Sequence, residues 1–209
     1  MFVYEENYIN GKLNGNQTGY YPNGKIEYRT NYSNGVLNGK YFFYFENGSL
    51  EEEHNYSNNI ATGKWVDYYN NKQIKEIGIY KQGRKDSVWN SYYENGKIEQ
   101  IENYSNGSQN GKFVYYYPNG NVRVRGSFQN GLKDGDWIWY YSSGGVETTG
   151  KFSHGKALSK CHYCGNYFNY DDGWQALPPG FSMSYFSYIQ GNGGAYCSKK
   201  CALADSGHW

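Results

Sequence analysis

Apolar residues of this chain fall in short runs that end at glycine-bearing pairs, and the pattern recurs every 24 residues. An aromatic run such as residues 64–69 favours a β-strand. The Asn-Gly pair that ends most of these runs, as at Asn95-Gly96, favours a hairpin turn of type I′ with positive φ at both residues. A second strand follows, such as residues 97–104, and closes at a second turn such as Asn106-Gly107. Each unit therefore predicts two short strands and two turns.

Six such units follow one another without insertion or deletion. Repeats 1 to 6 span residues 7–30, 31–54, 55–78, 79–102, 103–126 and 127–150. Residues 1–6 and 151–155 fit partial repeats at the two ends, so one repeat domain is expected over residues 1–155. Position 2 of every repeat is Tyr or Phe, position 14 is always Tyr, and positions 9 and 18 are mostly Gly. No repeat can bury its aromatic residues alone, so neighbours must stack. The sequence predicts a mainly β fold, an elongated, twisted antiparallel meander of about a dozen strands and no helix over residues 1–155.

Strict alternation along the second strand predicts which side chains share a face. The aliphatic residue at position 20 and the aromatic residue at position 2 of the next repeat should point to one face, and the charged residue at position 21 to the other. The position-21 residues are Glu27, Glu51, Lys75, Glu99, Arg123 and Glu147. In the first strand, positions 14 and 15 are both aromatic, so either a β-bulge intervenes or both faces carry aromatic residues.

The pattern Tyr-x-x-Gly followed by Gly-Lys-Trp-x-x-Tyr-Tyr-x-Asn-Gly-Lys-Ile resembles the MORN repeat (membrane occupation and recognition nexus) in its bacterial variant form. The resemblance covers residues 7–150, with a period one residue longer than usual and with pairs such as Asn38-Gly39 in place of the usual His-Gly. It implies a scaffold of β-hairpin repeats without catalytic activity. Eukaryotic members are linked to membrane or protein recognition, and bacterial variant members to antitoxin roles. The surface repeats that bind choline or glucans share the aromatic pattern but are shorter and secreted.

The period stops near residue 156, and the four cysteines of the chain follow as a CxxC pair and a CxxxC pair. Two tight pairs of thiolates suit a tetrahedral structural zinc site, whereas an iron–sulfur cluster is rarer at this spacing. The pattern resembles treble-clef-like zinc fingers, which implies a small zinc-finger domain over residues 156–209. The implied ligands are Cys161, Cys164, Cys197 and Cys201, with His162 and His208 as spare candidates. The class of finger is left open.

Composition and charge narrow the functional classes. Mean hydropathy is −0.92, yet 20% of the residues are aromatic and 26 are Tyr, which indicates an ordered chain. A net charge of +1 gives little support to non-specific binding of nucleic acid or anionic membranes. The N-terminus lacks the features of a secretory signal, so a cytoplasmic location is expected, and cytoplasmic cysteines favour metal binding over disulfides.

No motif in the sequence supports catalysis, so we expect no enzymatic activity. His54 and His154 fall inside the repeat register, and His54 is expected to be a solvated strand residue. The leading prediction is a non-catalytic protein-interaction scaffold of antitoxin or immunity type with a structural zinc finger. The alternatives are a nucleic-acid-binding zinc-finger protein in which the repeats serve as a spacer, and a lipid- or glycan-binding repeat protein.

Overall fold

The computed structural model describes residues 3–160 and 165–169, which form 18 β-strands and no helix. The strands are β1 (Val3–Glu5), β2 (Tyr8–Ile9), β3 (Lys12–Leu13), β4 (Gly15–Tyr20), β5 (Ile26–Ser33), β6 (Val36–Tyr44), β7 (Leu50–Ser57), β8 (Ile60–Ala61), β9 (Gly63–Tyr68), β10 (Ile74–Lys81), β11 (Arg84–Tyr92), β12 (Ile98–Ser105), β13 (Ser108–Tyr116), β14 (Val122–Gln129), β15 (Leu132–Tyr140), β16 (Val146–Ser153), β17 (Lys156–Lys160) and β18 (Tyr167–Asn169). All but β2 and β3 belong to one 16-stranded antiparallel sheet, which follows chain order apart from the short β8. The predicted antiparallel meander of six repeats is confirmed. No described segment forms a helix of the length and apolarity that crossing a membrane requires.

The two turns of each repeat differ in conformation. At positions 4 and 5 both residues have positive φ, as at Asn106 (51°) and Gly107 (86°), which is the type I′ geometry. At Asn95-Gly96 only the glycine has positive φ, so the prediction of a type I′ turn there is wrong. The Asn95 side chain accepts a hydrogen bond from the Lys97 backbone N–H, and the Gly96 N–H donates to the Tyr93 carbonyl. This is a type I turn followed by a left-handed residue, which also suits a hairpin.

A β-bulge at position 21 recurs in all six repeats. In repeat 1, Tyr20 pairs with Ile26 and Gly19 with Tyr28, so Glu27 is the extra residue. One extra residue reverses the alternation. The predicted shared face for positions 20 and 2 is therefore wrong, and Ile26 lines a groove beside Tyr20 on the face opposite the position-2 ring.

The tyrosine at position 15 lies just outside its strand, in the turn. Its hydroxyl donates to the position-14 carbonyl of the next repeat, from Tyr69 to Tyr92 at 2.8 Å and from Tyr117 to Tyr140 at 2.9 Å. Position 14 ends the first strand and points to the face opposite the position-11 ring. Both faces thus carry aromatic residues, and the bulge lies in the second strand.

The other row of turns, at positions 4 and 5, provides a second link between neighbouring repeats. The position-5 N–H donates to the position-7 carbonyl of the preceding repeat, as from Gly83 to Ala61 at 2.9 Å and from Gly107 to Lys85 at 2.8 Å. Neighbouring repeats are therefore hydrogen-bonded through both rows of turns as well as through the strands. Such nearest-neighbour coupling is typical of repeat proteins.

The apolar core is divided between the two faces of the sheet. Its buried apolar residues are Val66, Trp89, Val124 and Trp137, with exposures of 0–9%. Trp89 and Trp137 lie on one face, and Val66, which follows Trp65 in β9, lies on the other. The sheet continues beyond residue 155, because β17 pairs with β16 and β18 with β17. The change of composition at residue 156 thus falls within the β16–β17 hairpin.

Candidate functional site

One face of the sheet carries a long row of aromatic rings, which we call the aromatic face. It consists of the side chains at positions 2, 7, 11, 13, 22 and 24 of the repeats. Neighbouring rings are in contact at centroid distances from 3.3 to 6.5 Å. The first row of rings is Tyr41, His54, Tyr56, Trp65, Tyr80, Trp89 and Tyr104, and the second is Phe113, Phe128, Trp137, Trp139 and Phe152. Most of these rings are only half-buried, so they remain available for contacts with a partner.

Trp89 forms a layered stack with a glycine below it and a lysine above it. Gly78 lies directly under the indole ring, where a Cβ atom would overlap the ring. The Lys85 ammonium lies 3.9 Å from the centre of a Trp89 ring and 3.0 Å from a Glu76 carboxylate oxygen. The indole N–H donates to the Ile79 carbonyl at 3.2 Å. Lys85 is thus held between an aromatic ring and a carboxylate, a favourable cation–π arrangement.

The same stack recurs two repeats later. Gly126 lies under the Trp137 indole, and the Lys133 ammonium lies 4.5 Å from the centre of a Trp137 ring. The Trp137 indole N–H donates to the Ser127 carbonyl at 3.2 Å, as in the first stack. Trp137 is 2% exposed. In both repeats, a lysine at position 7 therefore packs over the ring at position 11.

His54 lies between the rings of Tyr41 and Trp65, and its ring is stacked on Trp65 at 3.3 Å. Its Nε2 is 2.7 Å from an Asp67 carboxylate oxygen and its Nδ1 is 3.5 Å from a Glu52 oxygen. His54 is 3% exposed, so the prediction of a solvated strand residue is wrong. The reason is that position 24 belongs to the aromatic face, where the two neighbouring rings cover the imidazole. Burial raises the pKa of the Glu52 carboxyl, and the nearby imidazole opposes that rise.

Glu102 occupies the same repeat position as His54 and is also buried, at 8% exposure. Its carboxylate accepts hydrogen bonds from the Tyr104 hydroxyl at 2.9 Å and from the Gln109 amide. Burial is the main cause that raises the pKa of Tyr104 above its usual value, and the hydrogen bond from its hydroxyl to Glu102 adds to the rise. The residue type at position 24 therefore changes from repeat to repeat, while the surrounding positions remain mostly aromatic. Its residues in repeats 1 to 6 are Thr30, His54, Gly78, Glu102, Gly126 and Gly150.

The opposite face of the sheet carries more basic side chains. Lys40 and Lys64 lie 3.7 and 3.3 Å from the Glu53 carboxylate. The Arg125 guanidinium lies 5.6 Å from the centre of the Tyr140 ring. Alternation along the strands places five basic residues from four repeats on this face, which we call the basic face: Arg29, Lys40, Lys64, Lys112 and Arg125. The small net charge of the chain therefore conceals an uneven distribution between the two faces.

The predicted zinc ligands Cys161, Cys164, Cys197 and Cys201, with the spare candidates His162 and His208, lie outside the described residues. Within residues 3–160 and 165–169, no group of three or more His, Cys, Asp or Glu side chains could hold a metal ion. Sequence reasoning missed the charged residues of the aromatic face. Their signal was present in the repeat register, where the residue types at positions 7 and 24 change from repeat to repeat while positions 2 and 14 stay aromatic.

Comparison with known proteins matches the repeats to one family model. Six segments match the model described as MORN repeat variant, namely residues 13–34, 37–58, 61–82, 85–106, 109–130 and 133–154, which make up more than half of the chain. No curated protein matches. One solved structure that matches is the crystal structure of a GtfA/B complex bound to UDP and GlcNAc, at 10% identity and a TM-score of 0.26. The match covers 60% of this chain and 24% of that chain.

Proposed function

The chain belongs to the MORN repeat variant family, and from this premise we propose that it is a non-catalytic scaffold that binds a protein partner, of antitoxin or immunity type. MORN repeats are binding scaffolds, and the aromatic face is the surface that best suits this role. We place the protein in the bacterial cytoplasm, with a structural zinc finger in residues 156–209 held by the four cysteines.

The observation that carries this proposal is the row of half-exposed rings on the aromatic face. Tyr and Trp are enriched at protein–protein interfaces because they offer a large apolar area with few rotatable bonds. Clusters of such residues supply most of the binding energy in many complexes. The cations and carboxylates between the rings, such as Lys85 and Glu76, would give the partner specificity and orientation.

The direct test is affinity capture of a partner from the lysate of the source cells by the full-length protein, with two matched variants. Ser91→Arg places a large charged side chain on the aromatic face, and Asn90→Arg places the same group on the opposite face of the same strand. Both positions are half-buried, so the two substitutions should cost similar stability. We expect a stoichiometric protein partner to be captured by the parent chain and by Asn90→Arg, and lost with Ser91→Arg. Equal capture by both variants would contradict the assignment of the aromatic face.

The zinc proposal needs a separate measurement on the same purified protein. Elemental analysis should find about one zinc ion per chain, because four thiolates complete a closed tetrahedral site. Replacing Cys197 by serine should abolish this stoichiometry while the circular dichroism of the repeats is retained. Purified chain that contains no zinc, or contains iron with the absorbance of a cluster, would contradict the proposal.

One observation favours a second function, nucleic-acid binding. The basic face combines Lys40, Lys64, Lys112 and Arg125 with the row of position-14 tyrosines, and basic side chains with aromatic rings suit single-stranded nucleic acid. Retention of RNA or DNA that weakens steeply with salt and is lost in Lys64→Glu would support this alternative. Recovery of lipid or glycan instead of protein would support the lipid- or glycan-binding alternative.

A further inference from the structure

We propose that the aromatic face carries a cation-binding site centred on Trp65, which receives a lysine side chain from a basic segment of the protein partner. This proposal rests on the proposed function and names the chemistry of the contact. The chain itself contains a filled example of the site one repeat further on.

The filled example is the environment of Lys85 in repeat 4. Its ammonium lies over Trp89 at position 11, within 5.5 Å of the centre of the Tyr104 ring at position 2 of the next repeat. It also lies 3.0 Å from the Glu76 carboxylate at position 22 of the preceding repeat. Two aromatic rings and one carboxylate therefore define the seat of this cation.

One repeat earlier, the two aromatic residues and the carboxylate are present, but the lysine is replaced by another residue. Moving back 24 residues replaces Trp89 by Trp65, Tyr104 by Tyr80, and Glu76 by Glu52, while Ala61 stands at the position of Lys85. The register agrees, since Ala61 pairs with Tyr56 as Lys85 pairs with Tyr80. Repeat 3 thus presents the two rings and the carboxylate, and its own position 7 supplies no cation.

Two further differences make the Trp65 site more acidic and more accessible. Position 13 of repeat 3 is Asp67 rather than serine, so a second carboxylate joins Glu52 on the neighbouring strand. His54 replaces the glycine under the indole ring and stacks on it at 3.3 Å, which supports the ring from below. Trp65 is only half-buried, whereas Trp89 is 1% exposed.

Charge complementarity decides the class of occupant. Glu52 is 37% exposed and Asp67 is 30% exposed at the side chain, so a cation can reach both carboxylates. Trp65 and Tyr80, whose ring centres lie 4.7 Å apart, offer ring surface for the ammonium and the apolar stem of lysine. His54 contacts both carboxylates from below, but a neutral or acidic segment would remove water from their exposed oxygens and add no positive charge. The occupant is therefore a lysine of a basic segment.

The test uses the full-length chain and an acetylated hexalysine peptide, with hexaserine as the control peptide. Binding is followed by the indole N–H NMR resonance of Trp65 and by calorimetry. Ala61→Lys supplies the missing cation within the chain and should weaken hexalysine binding about tenfold, a typical cation–π contribution. The matched control is Ala157→Lys, the same substitution in β17 at the place 24 residues after Lys133, where Thr148 stands in place of the carboxylate. It should change affinity by about twofold at most.

A second pair of variants keeps the proposal testable if Ala61→Lys does not fold. Glu52→Gln should weaken hexalysine binding, whereas Glu147→Gln removes the same charge at an exposed site away from Trp65 and should have little effect. The proposal is overturned if hexalysine leaves the Trp65 resonance unchanged, or if each variant and its control behave alike. A shift of that resonance with protein concentration alone would assign the site to a second copy of the chain and would also overturn it.

Partner capture separates this proposal from the proposed function. Capture by the parent chain with loss in Ala61→Lys supports both. Equal capture by the parent chain and Ala61→Lys overturns the cation site and leaves the scaffold function standing. If the parent chain captures no protein, the scaffold function fails, whereas the hexalysine titration still decides whether Trp65 binds a lysine.

Discussion

Replacing Gly78 by alanine should displace Trp89 from its seat on the sheet. Gly78 is buried, and an added Cβ would overlap the indole ring, which is itself 1% exposed. The backbone of Gly78 is outside the left-handed region, so alanine can adopt its conformation. The only perturbation is therefore the added methyl group, and the only relief is movement of the ring.

The expected loss of stability follows from what Trp89 gives up when it moves. Overpacking a filled site costs about 1–3 kcal/mol. Weakening the hydrogen bond from the indole to the Ile79 carbonyl costs about 1 kcal/mol, and weakening the contact with Lys85 about 0.5–1 kcal/mol. The lower chain entropy of alanine in the unfolded state returns about 0.4–1 kcal/mol. We therefore expect a net loss of about 2–4 kcal/mol in the free energy of unfolding.

Urea unfolding followed by circular dichroism and tryptophan fluorescence measures this loss. The control is Gly145→Ala, because its added Cβ would lie 3.9 Å from the Tyr141 ring, an ordinary contact. It should leave stability unchanged or slightly raised. Trp89→Phe provides the second arm, since the smaller ring relieves the overlap and the double variant should lose less than the sum of the single losses. Equal effects of Gly78→Ala and Gly145→Ala, or strict additivity with Trp89→Phe, would refute the reasoning.

Four further predictions address the turns, the repeat links, the ionisation of buried tyrosine and the metal. Gly96→Val should lower the melting temperature, because φ is 77° there and a β-branched residue is strained in that region; an unchanged melting temperature would contradict the turn geometry. Tyr117→Phe removes the hydroxyl that donates to the Tyr140 carbonyl at 2.9 Å, so urea unfolding should show a loss of about 1 kcal/mol. Burial raises the pKa of Tyr41 from 10.0 to about 12. The stability that the neutral hydroxyl contributes is therefore complete below the unfolded pKa and is lost as the pH rises through the folded pKa. Unfolding curves measured between about pH 9 and 12 should show a smaller loss of stability for Tyr41→Phe than for the parent chain. Removal of zinc by a chelator should change the protease sensitivity of residues 156–209 and leave the circular dichroism of the repeats intact, whereas Cys161→Ser should be insensitive to the chelator.

The repeat architecture could be predicted from the sequence because its signals are local and occur six times. Glycines at positions 9 and 18 mark positions where the backbone has positive φ, and even the exceptions Lys72 and Ser87 keep that conformation, at 70° and 62°. The neighbouring repeats impose the geometry there, so one missing glycine does not disturb the register. Strand type and order follow from this repetition alone.

The assignment of side chains to faces could not be predicted, because it depends on a single extra residue. The bulge at Glu27 carries no residue type that distinguishes it from an ordinary strand position, yet it reverses the direction of Ile26 relative to Tyr32. The burial of His54 was missed for a related reason. The sequence shows only a polar residue at position 24, which suggests a solvated side chain. Its burial becomes visible once the rings at position 11 of its own repeat and of the next repeat are known to lie on the same face.

The structure separates the residues that join the repeats from the residues that distinguish them. The links between repeats use backbone carbonyls, turn glycines and the position-15 hydroxyl, as in the bonds from Gly83 to Ala61 and from Tyr69 to Tyr92. None of these bonds involves the side chains at positions 7, 22 or 24. Substitution on the aromatic face is therefore constrained by packing against neighbouring rings and not by the connection between repeats. This separation explains how repeats with one fold can hold a lysine over Trp89 and none over Trp65, and so how a repetitive sheet can acquire a binding site that occurs only once.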